Sequence, residues 1–147
     1  MDEAFLILED GRVFFDYGRA AMVVTARRGD DNLSDLAASA FPFLRGSLSE
    51  IAGALPILRQ YPDGMDYSEL TGLPRVMAES VLATGEPPLT PMAAVAGTVA
   101  DAMADWLFAR GADLVAVNNG GDVALRLGGG RSIRMGILPD LNGRVTE

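Results

Sequence analysis

The sequence TPMAAVAGTVADAMADWLFARGADLVAVNNGGDVALRL, residues 90–127, carries the strongest structural signals in this chain. Thr90 is a residue type that often precedes a helix, and Pro91 suits the first helical position. Gly111 suits the left-handed residue that follows a helix. These three positions predict one helix over residues 91–109.

The predicted helix contains a face of small side chains. A glycine inside a helix destabilises it by about 0.8–1 kcal/mol relative to alanine, so Gly97 requires a compensating close approach. Either a tightly packed strand or helix, or a flat ring or sugar-phosphate of a ligand, could approach it. We therefore expect Gly97 to lie at contact distance from one of these. The small face consists of Ala93, Gly97, Ala100 and Ala104.

Two predicted strands, Leu114–Val117 and Val123–Leu127, are joined by the turn Asn118–Asp122. Successive Asn and Gly residues tolerate positive φ, so neighbouring amides can point into one concavity and bind an anion. The same residues also form ordinary β-hairpins, and both interpretations stay open. The anion-site interpretation predicts a concave turn with at least two amides that the protein leaves unpaired.

The N-terminal part of the chain predicts a hairpin and a third strand. Asp10-Gly11 separates the apolar runs 4–9 and 13–17, which is a strong hairpin signal, and residues 22–26 predict the next strand. Gly128–Gly130 predicts a further hairpin turn that leads into a strand over 133–137.

Apolar residues at helical spacing dominate residues 32–61. Pro42 and Pro56 are predicted to interrupt this pattern, which gives two helices or one kinked helix. Ser47 with Glu50 is predicted to form a capping box for the second helix. A further helix is predicted to begin at Pro74 and to end at Gly85. With strands at both ends and helices between them, the chain predicts an α+β fold with helices packed on a mostly antiparallel sheet, in one domain over residues 1–147.

The composition excludes several kinds of chemistry. With 20 acidic and 12 basic residues among 147, the formal charge is −8, which disfavours a nucleic-acid partner. Histidine, cysteine and lysine are absent, so we expect no zinc, and any metal must be a hard cation held by oxygens. An acidic start and the lack of a long apolar run predict no signal peptide and no membrane partner, hence a cytoplasmic protein.

Residues 90–101 together with 118–122 resemble the core of the ApbE-like superfamily, which includes the FAD:protein FMN transferases, formerly called thiamine biosynthesis lipoproteins. The closer resemblance is to a small uncharacterised soluble branch, which combines a Pro-Met-Ala-Ala-Val-Ala-Gly run with an Asn-Gly-Gly-Asp turn. Other segments that fit this branch are Asp16-Tyr17-Gly18, Met22-Val23-Val24 and Leu55-Pro56-Ile57-Leu58.

The resemblance implies an ApbE-like fold and a site for FAD or FMN with Mg²⁺. Asp101 and Asp122 are the implied metal ligands. In the transferases a lysine precedes the helix glycine, whereas this chain has Ala96 there. Family members continue past this point, so we expect a fragment of a longer protein or a form that has lost its second half. The implied cofactor-binding residues are Pro91, Met92, Ala93, Gly97, Asn118, Asn119, Gly120, Gly121 and Asp122.

Three functions follow from these observations. The first is binding of a flavin nucleotide or another flat phosphorylated cofactor, such as a pterin. The second is Mg²⁺-dependent transfer of FMN from FAD to a protein. The third is a non-catalytic fold remnant that acts through protein partners. A small nucleotide-like molecule is the expected partner, and assembly into a homo-oligomer is left open.

Overall fold

The computed structural model describes residues 5–62, 66–85 and 89–136. Its strands are β1 (Phe5–Ile7), β2 (Val13–Tyr17), β3 (Ala20–Arg28), β4 (Asp31–Asn32), β5 (Leu114–Asn119) and β6 (Asp122–Leu127). Its helices are α1 (Ser34–Ala38), α2 (Phe41–Gly53), α3 (Leu55–Leu58), α4 (Gly72–Thr84), a 3₁₀ helix (Pro91–Ala94) and α5 (Val95–Phe108). Strands at both ends with helices between them confirm the α+β prediction.

The strands form one six-stranded antiparallel sheet in the order β1-β2-β3-β5-β6, and the short β4 pairs with the end of β3. The central pairing of β3 with β5 places Val24 opposite Val117. This pairing joins the strands before the helices to those after them, so β1–β4 and β5–β6 build a single sheet.

The two faces of the sheet have different surroundings. Alternate strand residues point to opposite faces. One face packs against the helices, and its buried side chains join those of α2, α4 and α5 in one cluster. We call the opposite side the open face. The strand residues of this face that belong to the core cluster are Val13, Phe15, Met22, Val24, Ala26, Val115, Val117 and Ala124.

Both prolines interrupt the helical pattern as predicted, since a new helix begins at each, but residues 34–58 form three helices and not two helices or one kinked helix. Pro42 is in the first turn of α2 and Pro56 in the first turn of α3. Proline is tolerated there because the first amides of a helix have no intrahelical acceptor.

The predicted capping box is wrong. Ser47 lies inside α2 and its hydroxyl donates to the Phe43 carbonyl at 2.8 Å. Glu50 instead accepts a hydrogen bond from the Leu73 amide, at 3.1 Å, and so satisfies a free amide in the first turn of α4. The predicted end of α4 is confirmed, because Gly85 adopts the left-handed conformation with φ 65°.

The single helix predicted over residues 91–109 is wrong in its first turn. Pro91–Ala94 forms a 3₁₀ helix that leads into α5, with the Ala93 amide donating to the Thr90 carbonyl at 3.0 Å. The predicted third hairpin is also wrong in its described part, since residues 131–136 form no strand. Residue 137 lies outside the described residues. None of the described helices is long and apolar enough to cross a membrane.

Candidate functional site

The side chain of Asn119 joins the glycine turn to the start of α5. It is 8% exposed, and its Nδ2 donates to the Ala96 carbonyl at 3.1 Å. Because Ala96 precedes Gly97 in the first turn of α5, this bond brings the two predicted halves of the site side by side. The sequence resemblance had linked these segments, and the fold makes them neighbours.

The turn itself is a two-residue β-hairpin. Strands β5 and β6 pair as far as Asn119 and Asp122, and Gly120 and Gly121 have φ values of 61° and 103°. Positive φ at both central residues is the geometry that favours glycine in tight hairpins. The hairpin interpretation is therefore confirmed. The Gly121 amide donates to Oδ1 of Asn118 at 2.9 Å, so it is not one of the free amides that an anion site would use.

No described part of the protein packs on Gly97. A Cβ added at this position would meet no heavy atom within 4 Å, and the same holds at Gly120 and Gly121. The expectation that a strand or a helix lies in contact with Gly97 is therefore wrong. Contact of Gly97 with a ligand stays a prediction.

The three other predicted helix residues lie in the 3₁₀ helix that precedes α5. Pro91 is buried, Met92 is half-buried against the core cluster, and Ala93 is exposed. Of these three residues, only Ala93 has an exposed side chain.

Asp101, one of the two predicted metal ligands, pairs with an arginine. Nη2 of Arg126, on β6, lies 3.3 Å from Oδ1 of Asp101, and its Nε lies 2.7 Å from Oδ1 of Asp105. The hydrogen bond to Asp105, together with that to Asp101, raises the pKa of the Arg126 guanidinium above its usual value. Asp122 is exposed at the first position of β6.

Among the residues that the structure describes, no cluster of three or more acidic side chains forms a metal site. A Mg²⁺ ion at Asp101 would compete with Arg126 for the carboxylate. The assignment of Asp101 and Asp122 as metal ligands stays a prediction.

The role of Arg126 was missed at the level of sequence. Asp101 and Asp105 are one helical turn apart, and this spacing on α5 suits a single bridging cation. What the sequence did not supply was the position of β6 directly beside that helix.

A groove of about 440 Å³ opens between α2, α4 and α5. Phe43 and Trp106 stack in it with ring centroids 5.8 Å apart, and Thr98 and Asp101 also line it. Volumes of roughly 300–1,000 Å³ are typical of small-molecule sites. Thr98 directly follows Gly97 in the chain, but successive helix residues point about 100° apart and Gly97 does not itself line the groove.

The chain belongs to the family described as AbpE bacteria, whose model matches residues 5–146. No curated protein matches the chain.

Proposed function

We propose that this protein is an ApbE-like protein that binds a flavin nucleotide, or a similar flat phosphorylated cofactor, beside the first turn of α5 and the β5–β6 turn. The family description is close in name to the ApbE-like superfamily, and this supports the proposal at the level of the family. The observation that carries the proposal is the uncovered backbone at Gly97, adjacent to the bond between Ala96 and Asn119.

A glycine inside α5 lowers helix stability by about 0.8–1 kcal/mol, and no described protein atom makes use of the missing side chain. An approaching ligand would use it, because a flat ring can come closer to the backbone where no Cβ intervenes. The groove between α2, α4 and α5, in which Phe43 and Trp106 stack, is a second apolar surface on the same helix.

The phosphate groups would lie near the Gly120–Gly121 turn, where added side chains would also meet no protein atom. Backbone amides beside positive-φ residues can bind anions without a charged side chain, although the Gly121 amide could take part only if its hydrogen bond to Asn118 opens. This matters in a chain of formal charge −8, which otherwise repels phosphate.

We propose further that binding occurs without efficient FMN transfer. Splitting a pyrophosphate develops negative charge that a metal or a cationic side chain must stabilise. Ala96 offers no cation, and Asp101 is paired with Arg126. A bound Mg²⁺ would be held by Asp122. Asp101 could become a second ligand only after its ion pair with Arg126 opens. Incubation with FAD, Mg²⁺ and a threonine-containing acceptor, followed by mass spectrometry, tests this; robust addition of FMN would establish the transferase instead.

Two pairs of variants test the binding site. Gly97 and Gly46 both lie inside helices, and an added Cβ meets nothing within 4 Å at either. Both Gly→Ala changes should raise the free energy of unfolding by about 0.5–1 kcal/mol. Calorimetric titration with FAD, FMN and ADP should show affinity at least tenfold weaker for Gly97→Ala and Gly97→Leu.

The Gly46→Ala and Gly46→Leu controls should bind like the unchanged protein. Equal affinity in both pairs would exclude Gly97 from the site. If the unchanged protein binds none of the three nucleotides at millimolar concentration, the proposed function is wrong.

A further inference from the structure

We propose that the open face of the sheet joins two copies of this chain in a face-to-face dimer, in which Arg27 of each copy pairs with Asp16 of the other. Two observations carry this inference: the apolar character of the face and the placement of its charges. Neither depends on the nucleotide site.

The open face is apolar where a solvent-facing sheet is normally polar. Antiparallel sheets with one solvated face usually alternate apolar and polar residues along each strand. Here both faces carry apolar side chains, and Leu6, Val123 and Leu127 are 59%, 40% and 39% exposed on the open one. The strand register also places Phe14, Val23 and Ala116 on this face.

The size of the face limits the strength of the dimer. Five adjacent strands of three to nine residues, at about 4.8 Å spacing, make a surface roughly 20 Å by 18 Å. Exposed apolar patches of more than a few hundred Å² usually mark interaction sites. Two such faces in contact would cover about 700 Å² in total, below the roughly 1,200 Å² of stable interfaces, so we expect weak association.

The charges on the face are self-complementary. The chain has a formal charge of −8, yet the described strand positions on this face carry only Asp16 and Arg27. Asp16 lies opposite Ala21, and Arg27 is further along β3 by roughly 20 Å. A two-fold axis that runs between the faces and across the strands places each Asp16 near the partner's Arg27.

Sedimentation velocity and light scattering of the full chain test the proposal. The unchanged protein should form dimers in a concentration-dependent way, with dimers present at hundreds of micromolar concentration. Thr25→Glu, which places a charge near the centre of the face, should give monomers, whereas Ser49→Glu on the exposed side of α2 should not. A monomeric unchanged protein, or a Thr25→Glu dimer, would overturn the proposal.

A charge exchange tests the pairing itself and does not depend on loss of folding. Arg27→Asp and Asp16→Arg should each weaken self-association at least tenfold, because like charges then face each other. An equimolar mixture should form heterodimers, since one partner offers two carboxylates and the other two guanidinium groups. If the mixture stays monomeric while circular dichroism shows both variants folded, the Asp16–Arg27 pairing is wrong.

Discussion

The β1–β2 turn and the β5–β6 turn both depend on glycines with positive φ, but their surroundings differ. A Cβ added at Gly11 would lie 2.6 Å from Cγ and 2.9 Å from Cβ of Asn32. The Ser34 hydroxyl also donates to the Gly11 carbonyl at 2.6 Å, so this turn is packed against the start of α1. At Gly120 and Gly121 an added Cβ would meet nothing within 4 Å.

The two turns therefore need glycine for different reasons. At Gly11 the fold itself fills the space that a side chain would occupy, so the residue is explained by packing and by its φ of 89°. At Gly120 and Gly121 only the backbone conformation requires glycine, and the space beside them is available to a ligand. Substitutions at the first turn should lower stability, and substitutions at the second should mainly lower binding.

The largest expected effect is that of Gly11→Ala. Strain at positive φ combines with displacement of Asn32, so the free energy of unfolding should fall by about 3 kcal/mol. Urea denaturation measures it. Gly18 provides the control, since it has φ 59° and open space, and Gly18→Ala should lower the free energy of unfolding by only about 1 kcal/mol. Equal losses would show that Asn32 does not restrict the first turn.

An intermediate effect is expected for Asn119→Ala, which removes the bond between the second turn and α5. Loss of a buried hydrogen bond should lower the free energy of unfolding by about 1–2 kcal/mol. Because the turn is no longer held beside Ala96, FAD affinity measured by calorimetry should also fall at least tenfold. Asn118→Ala removes only a hydrogen bond within the turn and should change stability by less than about 1 kcal/mol.

The smallest effect on stability is expected for Gly120→Asn. Asparagine tolerates the left-handed conformation, so the free energy of unfolding should change by less than about 0.5 kcal/mol. The new side chain enters the space assigned to the ligand, so affinity for FAD should fall by about tenfold, or 1.4 kcal/mol. Unchanged affinity would show that the second turn is as unrelated to binding as the first.

Elements set by local chemistry could be predicted from sequence. Asp10-Gly11 fixes the first hairpin through its own backbone preferences, and Gly85 ends α4 in the predicted left-handed conformation. The alternation of apolar residues in β3 likewise follows from its own sequence. These features require no knowledge of distant parts of the chain.

Features that depend on tertiary neighbours could not be predicted in this way. Glu50 satisfies the amide of Leu73 on another helix, so its local pairing with Ser47 was the wrong expectation. Arg126 joins two carboxylates of α5 only because β6 lies beside that helix. The contact between Gly97 and a ligand stays a prediction, since only a measurement of ligand binding can test it.

The pairing of β3 with β5 has a consequence for the order of folding. Pairing these two strands closes a long loop of the chain. At one end of the paired strands, the Gly29 amide donates to Oδ2 of Asp113, and these two residues are 84 positions apart in the sequence. By contrast, α5, β5 and β6 follow one another directly in the sequence and are joined by short connections. Because closure of a long loop carries a larger entropy loss, the C-terminal helix and hairpin should form first and then dock onto β3. In pulsed hydrogen exchange, amides of β5 and β6 that bond to each other should gain protection before those that bond to β3.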